Sequence, residues 1–102
     1  MALSLQVIYP ITDDTNFDYD YYLGTHMPMV DEHMGAHISS VLVTKGLAGG
    51  PDAPPESYAV ATMTFADQSA LDAALGAAGP VIADIANFTN TRPQMLIGEV
   101  VA

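Results

Sequence analysis

The chain of 102 residues contains no cysteine. That absence excludes disulfides and thiolate chemistry, and it fits the cytoplasm, where disulfides are rare. Cations are nearly as scarce: Lys45 and Arg92 stand against twelve acids, a formal charge of −10. Such a surface repels phosphate backbones and anionic headgroups, so neither nucleic acid nor a membrane is an expected partner. No apolar run approaches the ~20 residues that span a bilayer. The opening Met-Ala-Leu-Ser-Leu-Gln lacks the basic stretch of a signal peptide. No serine sits in a nucleophile elbow. The glycines between Gly46 and Gly50 lack the lysine and helix start of a phosphate loop. Arg92 fits a salt bridge to one of the twelve acids better than a substrate-carboxylate clamp.

Half of the residues are apolar, too many for a disordered chain. The length predicts one domain over residues 1–102. Residues 3–9 alternate as a strand. Asn16 is placed to cap a helix, with Asp18 and Asp20 in its first turn. Leu23, Met27, Val30 and Met34 form a helical stripe. Pro28 lies inside that helix and predicts a kink, and Gly35 predicts its end. Strands are predicted over 37–45, 58–65 and 94–101. Asp67 can cap a second helix carrying Leu71, Ala74 and Leu75. Gly76, Gly79 and Pro80 break it before a short turn with Val81, Ile82 and Ile85. The order βαββαβ defines an α+β, ferredoxin-like protomer with a four-stranded antiparallel sheet.

Both faces of the outer strands carry apolar residues. Val41 and Val43 oppose Ile38 and Leu42, and Met95 and Ile97 oppose Leu96 and Val100. Two helices cover one face only. A second copy of the sheet is the simplest cover for the other, which predicts a homodimer.

The chemistry concentrates in residues 17–29, which hold four aromatic residues, a histidine and a proline. Tyr22, His26, Met29 and His33 fall on one predicted helix face beside the core stripe. Tyrosine offers an apolar ring with a polar handle, and histidine titrates near neutrality. His26 therefore fits a general acid or base, and also a structural histidine held by a hydrogen bond. His33 fits a pocket wall, and also a cation at a helix C-terminus. The spacing His26, His33, His37 is not that of a metal site, so no metal is expected.

Ile8-Tyr9-Pro10, Phe17-Asp18, Tyr21-Tyr22-Leu23 and Thr25-His26-Met27-Pro28-Met29-Val30 resemble the signature of the EthD family, associated with ethyl tert-butyl ether degradation. Asp84-Ile85-Ala86-Asn87-Phe88-Thr89-Asn90 is similar to that family's segment before its last strand. The resemblance implies a dimeric α/β barrel of ferredoxin-like protomers. Related barrels run cofactor-free isomerase, cyclase and oxygenase chemistry on hydrophobic or aromatic compounds. His26 and Tyr22 are the catalytic candidates. Tyr9, Phe17, Tyr21, Met29 and His33 are the candidate substrate contacts. A second reading is a binding module or accessory subunit for an apolar metabolite, which needs a pocket but no base.

Ten uncompensated negative charges repel one another, and salt screens such repulsion. The melting temperature should rise between low and moderate sodium chloride. A flat or falling Tm in a thermal-melt series would show that the repulsion is compensated locally.

Overall fold

A computed structural model describes residues 1–102. The chain runs β1 (Leu3–Pro10), α1 (Tyr19–Tyr21), a wide turn Tyr22–His26, α2 (Met27–Met34), β2 (Ser40–Lys45), β3 (Ser57–Phe65), α3 (Gln68–Gly76), α4 (Gly79–Asp84) and β4 (Gln94–Glu99). Single 3-10 turns follow α2 at Gly35–His37 and α4 at Ile85–Asn87. The strands form one antiparallel sheet in the order β2-β3-β1-β4. This is the ferredoxin-like α+β arrangement that the element order predicts.

Alternation decides which side of the sheet the helices cover. Leu3, Leu5, Val7 and Tyr9 of β1 are buried, and so are Ala59, Ala61, Met63 and Phe65 of β3. In the β1–β3 register Leu5 lies opposite Met63 and Val7 opposite Ala61, so both sets share one face. Leu71, Ala74, Val81, Val30 and Met34 close over them from the helices. Fully burying a side chain such as Phe65 or Leu71 contributes about 1.5–3 kcal/mol.

The helices lie over the two central strands and leave the outer strands bare. Val41, Met95 and Ile97 point to the helix side, yet they are 46%, 50% and 54% exposed. The opposite face mixes Ile8, Leu42, Val60 and Leu96 with Ser4, Gln6, Thr62 and Thr64. Gln6 Nε2 donates to Thr62 Oγ1 across that face at 3.3 Å.

The first helical segment departs from the predicted one in phase. Tyr22, His26, Val30 and Met34 are buried, whereas Leu23 is 58% exposed. The cause is the wide turn. The N–H of Met27 donates to the carbonyl of Tyr22, five residues back instead of four. One extra residue in a turn rotates everything after it by about 100°. A regular helix carrying Tyr22 and His26 inward would bring Met29 and His33 to the same side. The wide turn brings Val30 and Met34 there instead. The expected Tyr22–His26–Met29–His33 face is thus corrected to Tyr22–His26–Val30–Met34. Pro28 stands in the first turn of α2, where a residue without an N–H is tolerated.

Smaller differences also have local causes. Asn16 is not the cap. Asp18 is, accepting from the N–H of Tyr21 at 3.1 Å. The N–H of Asn16 instead donates to Asn90 Oδ1 at 2.9 Å. Gly35 stays helical and leads into the 3-10 turn, so β2 begins at Ser40 rather than at residue 37. Asp67 caps α3 as expected, accepting from Ala70 N–H at 2.9 Å.

A polar staple joins the loop after β1 to the segment before β4. The N–H of Asp18 donates to the carbonyl of Phe88 at 2.8 Å, and Phe17 bridges Thr89. Thr91 Oγ1 donates to the carbonyl of Pro10 at 2.6 Å. Asn90 Nδ2 donates to the carbonyl of Asp14 at 2.8 Å. Asp14 has φ 65°, a left-handed conformation that aspartate tolerates better than most residues. These bonds set residues 84–91 against residues 17–30, and the site lies between the two.

Candidate functional site

His26 is held from the opposite side of the fold. Its Nδ1 lies 3.0 Å from Asp84 Oδ2, and the two residues are 2% and 7% exposed. An ionised carboxylate only accepts, so Nδ1 carries the hydrogen and donates. The same carboxyl accepts two more bonds on Oδ1, from the Tyr21 hydroxyl at 2.7 Å and from Asn87 Nδ2 at 2.9 Å. Burial alone would raise the Asp84 pKa. The hydrogen bonds from Tyr21, Asn87 and His26, with the charge of His26, outweigh it and hold the carboxyl below its usual range. Tyr21 responds in the opposite sense. Its bond to Asp84, then burial, raises its phenol pKa. In the neutral ring, with Nδ1 committed, Nε2 is the nitrogen without a hydrogen. No protein group bonds to it.

Aromatic rings surround the histidine. His26 lies 4.6 Å from the Phe88 ring centroid, and stacks on Tyr22 at 5.6 Å and 20°. Tyr22 meets Tyr9 edge-on at 5.6 Å and Phe17 at 5.0 Å. Aromatic pairs of this kind contribute about 0.5–1.5 kcal/mol beyond area burial. Seven of the eight aromatic residues join this cluster, Phe65 alone lying outside it.

Tyr22 is 1% exposed, and its hydroxyl is the one buried side-chain polar atom without a hydrogen-bond partner. Such an orphan costs about 1–3 kcal/mol. Burial pushes its pKa up to about 12, so the phenol keeps its proton across the neutral range. Burial also raises the Tyr9 phenol.

Tyr22 and His26 line a cavity of about 40 Å³ between the helices and the sheet. Apart from the phenol of Tyr9, the rest of its wall is hydrophobic and includes four of the six methionines: Met27, Met34, Met63 and Met95. Its outer rim is formed by Ile82 and Met95, 49% and 50% exposed, with Ile85. A space of this size holds a few water molecules at most. Methionine is flexible and adapts its shape to what it packs against, so this wall can yield.

The sequence candidates separate into three groups. Tyr9, Tyr22 and His26 line the cavity. Phe17 and Tyr21 stand behind it, Phe17 packing on Tyr22 and Tyr9 and Tyr21 holding Asp84. Met29 and His33 are half-buried and lie outside the cavity wall, because the wide turn rotates them away. Arg92 forms no ion pair, the His26–Asp84 pair being the only one. Lys45 lies over the Tyr19 ring, 4.4 Å from its centroid. No group of three metal-ligating side chains is present.

Asp84 carries the site's electrostatics, and the residue chemistry of 17–29 does not point to it. A signal exists all the same. In Val81-Ile82-Ala83-Asp84-Ile85 the carboxylate is the only polar side chain, and it shares the buried face with Val81 and Phe88 at helical spacing. An acid on the buried face of an apolar segment needs partners.

The fold and this site define a small ferredoxin-like protein with a buried His–Asp pair. The chain is similar to solved structures along nearly its whole length. An EthD-like protein from Ralstonia eutropha JMP134 is 36% identical, covering 99% of this chain and 93% of that one, with a TM-score of 0.88. The chain belongs to the EthD family. Two more distant structures share the fold. A dimeric ferredoxin-like protein from Thermobifida fusca YX has a TM-score of 0.67 at 9% identity, covering 98% of this chain and 92% of that one. SnoaB, a cofactor-independent oxygenase from Streptomyces nogalater, has a TM-score of 0.63 at 10% identity, covering 99% and 93%. No protein-family model and no curated protein matches the chain.

The depressed pKa of Asp84 links the site to stability. Folded Asp84 binds its proton less tightly than the unfolded chain does. Its contribution is therefore present above the unfolded carboxyl value and is lost as pH falls through the lower folded value. The Tm should fall on acidification below about pH 4. Asp84→Asn should be less stable at pH 7 and should lose part of that acid dependence. An unchanged acid limb in the variant's melting series would assign it to the other carboxylates.

Proposed function

We propose that this protein is a small acid–base enzyme acting on a hydrophobic small molecule, with His26 as the proton-transfer residue. The observation that carries the reading is the polarity of the cavity. Of its lining residues only Tyr9, Tyr22 and His26 carry side-chain N or O atoms. The Tyr22 hydroxyl has no partner, and His26 keeps Nε2 free while Asp84 holds Nδ1. An imidazole fixed in this tautomer presents a lone pair, which a general base requires. When Nε2 takes a proton, Asp84 faces the imidazolium and stabilises it. Asp84 acts as a positioning residue, and Tyr21 and Asn87 position Asp84. Tyr22 supplies a donor for an oxygen of the substrate. Proton transfer of this kind calls on no cofactor, and it serves isomerase, cyclase and oxygenase-type chemistry alike. The oxygenase SnoaB supports that range at the level of fold only.

His26→Gln keeps a donor for Asp84 and most of the side-chain volume. It should fold with a near-native melt and lose about a hundredfold or more in turnover, the effect of a missing general base. Assay of both proteins on a panel of apolar ketones, lactones and phenols measures this. Equal turnover in the variant removes His26 from the chemistry. Tight ligand binding without turnover in either protein gives the role to a binding module.

The second part of the proposal is assembly as a homodimer through the face of the sheet opposite the helices. Leu42 and Leu96 are 64% and 56% exposed on that face, near Ile8 and Val60. The ferredoxin-like protein from Thermobifida fusca is itself dimeric, which supports a dimer at the level of fold. Light scattering at micromolar concentration should give twice the chain mass, and Leu42→Asp with Leu96→Asp should give monomer. A wild-type monomer at that concentration overturns the dimer.

A further inference from the structure

We propose that the cavity selects an uncharged carbonyl compound with an enolisable C–H bond, an inference that rests on the acid–base reading above. The argument is one of matching polar groups. Tyr22 keeps its proton and lacks a partner, so it presents one hydrogen-bond donor in need of an acceptor. His26 Nε2 presents one acceptor in need of a proton. Apart from the phenol of Tyr9, the remaining wall is hydrophobic. A ligand that satisfies both groups brings one acceptor oxygen and one removable proton close together, and little else that is polar. A hydrocarbon leaves Tyr22 orphaned. An alcohol can pair with both groups through its hydroxyl, but it offers no acidic C–H for the base to remove. A ketone or aldehyde with a hydrogen on the adjacent carbon meets both demands.

Charge narrows the class further. Neither Lys45 nor Arg92 lines the cavity, and the nearest fixed charge described is the carboxylate of Asp84. An anionic ligand would lose its hydration beside the Asp84 carboxylate with no lysine or arginine to replace it, at a large cost. Carboxylates and phosphates are therefore excluded from the interior. The four methionines of the wall set the size, since they must move to admit anything larger than a few waters.

The reaction balances without a second reagent. His26 Nε2 takes the proton from the carbon beside the carbonyl. The C–H electron pair becomes the C=C bond of the enolate, and the oxygen gains charge against the Tyr22 hydroxyl. The imidazolium then returns the proton to the same carbon or to a conjugated one. No electrons enter or leave.

Three probes of one shape test this: 2-indanone, indane and indane-2-carboxylate. Deuterium uptake at the α-carbons of 2-indanone in heavy water is followed by NMR, and binding of all three by ligand-observed NMR. The expected result is exchange above the buffer rate, lowered about a hundredfold in His26→Gln and about tenfold in Tyr22→Phe. Indane should bind, and indane-2-carboxylate should not. Binding of the carboxylate as tight as that of 2-indanone overturns the charge selection. Exchange that is absent from the wild type, or unchanged in Tyr22→Phe, overturns the carbonyl assignment while binding of indane keeps the apolar site. No binding of indane or 2-indanone removes the site itself, and the acid–base reading with it.

Discussion

Three hydrogen bonds converge on one carboxyl group. Tyr21 and His26 come from the first helical segment, Asn87 from the turn after α4, and Asp84 receives all three within 3.0 Å. A carboxylate in that position would be a liability in an apolar interior. With its lone pairs occupied it becomes the fixed point to which both helical layers are tied. It sets the tautomer of His26, spends the hydroxyl of Tyr21 and positions the turn that carries Phe88. The aromatic cluster closes around this arrangement, so the rings and the polar network hold each other in place.

The wide turn at Tyr22–His26 solves a related problem of geometry. A regular helix would spread Tyr22, His26, Val30 and Met34 over about 120°, because steps of four drift around a 3.6-residue period. The extra residue in one turn absorbs the drift. His26 stays inward for the site while Val30 and Met34 stay inward for the core. Wide turns of this kind recur at functional sites.

The backbone plan was legible in the sequence because it depends on alternation, caps and breakers, all local signals. β1, β3 and the Asp67 cap follow from their own residues. The motifs around Tyr9, Phe17 and Thr25–Val30 pointed to the EthD family, and the similarity to the Ralstonia eutropha protein bears that out. The site was legible in part. Tyr22 and His26 stand out by residue type. Met29 and His33 were misplaced, since a hydrophobic pattern read at a regular period has no way to register one extra residue. Asp84 was missed for a different reason. Two of its three partners are 58 and 63 residues away in the chain, and no local pattern joins them to it.

The bridge between Phe17 and Thr89 has a bearing on when the site comes into being. The two segments that form it lie near opposite ends of the chain, beside a β1 that pairs with both β3 and β4. Closing loops of that length is slow relative to forming a helix or a hairpin. A chain still emerging from synthesis has His26 and Tyr22 but neither Asp84 nor Phe88. Its imidazole is unanchored and its rings are unstacked. The polar centre cannot form until residues 84–88 have joined the helical segment that carries His26, so a ligand held there reports on chains whose two ends have met.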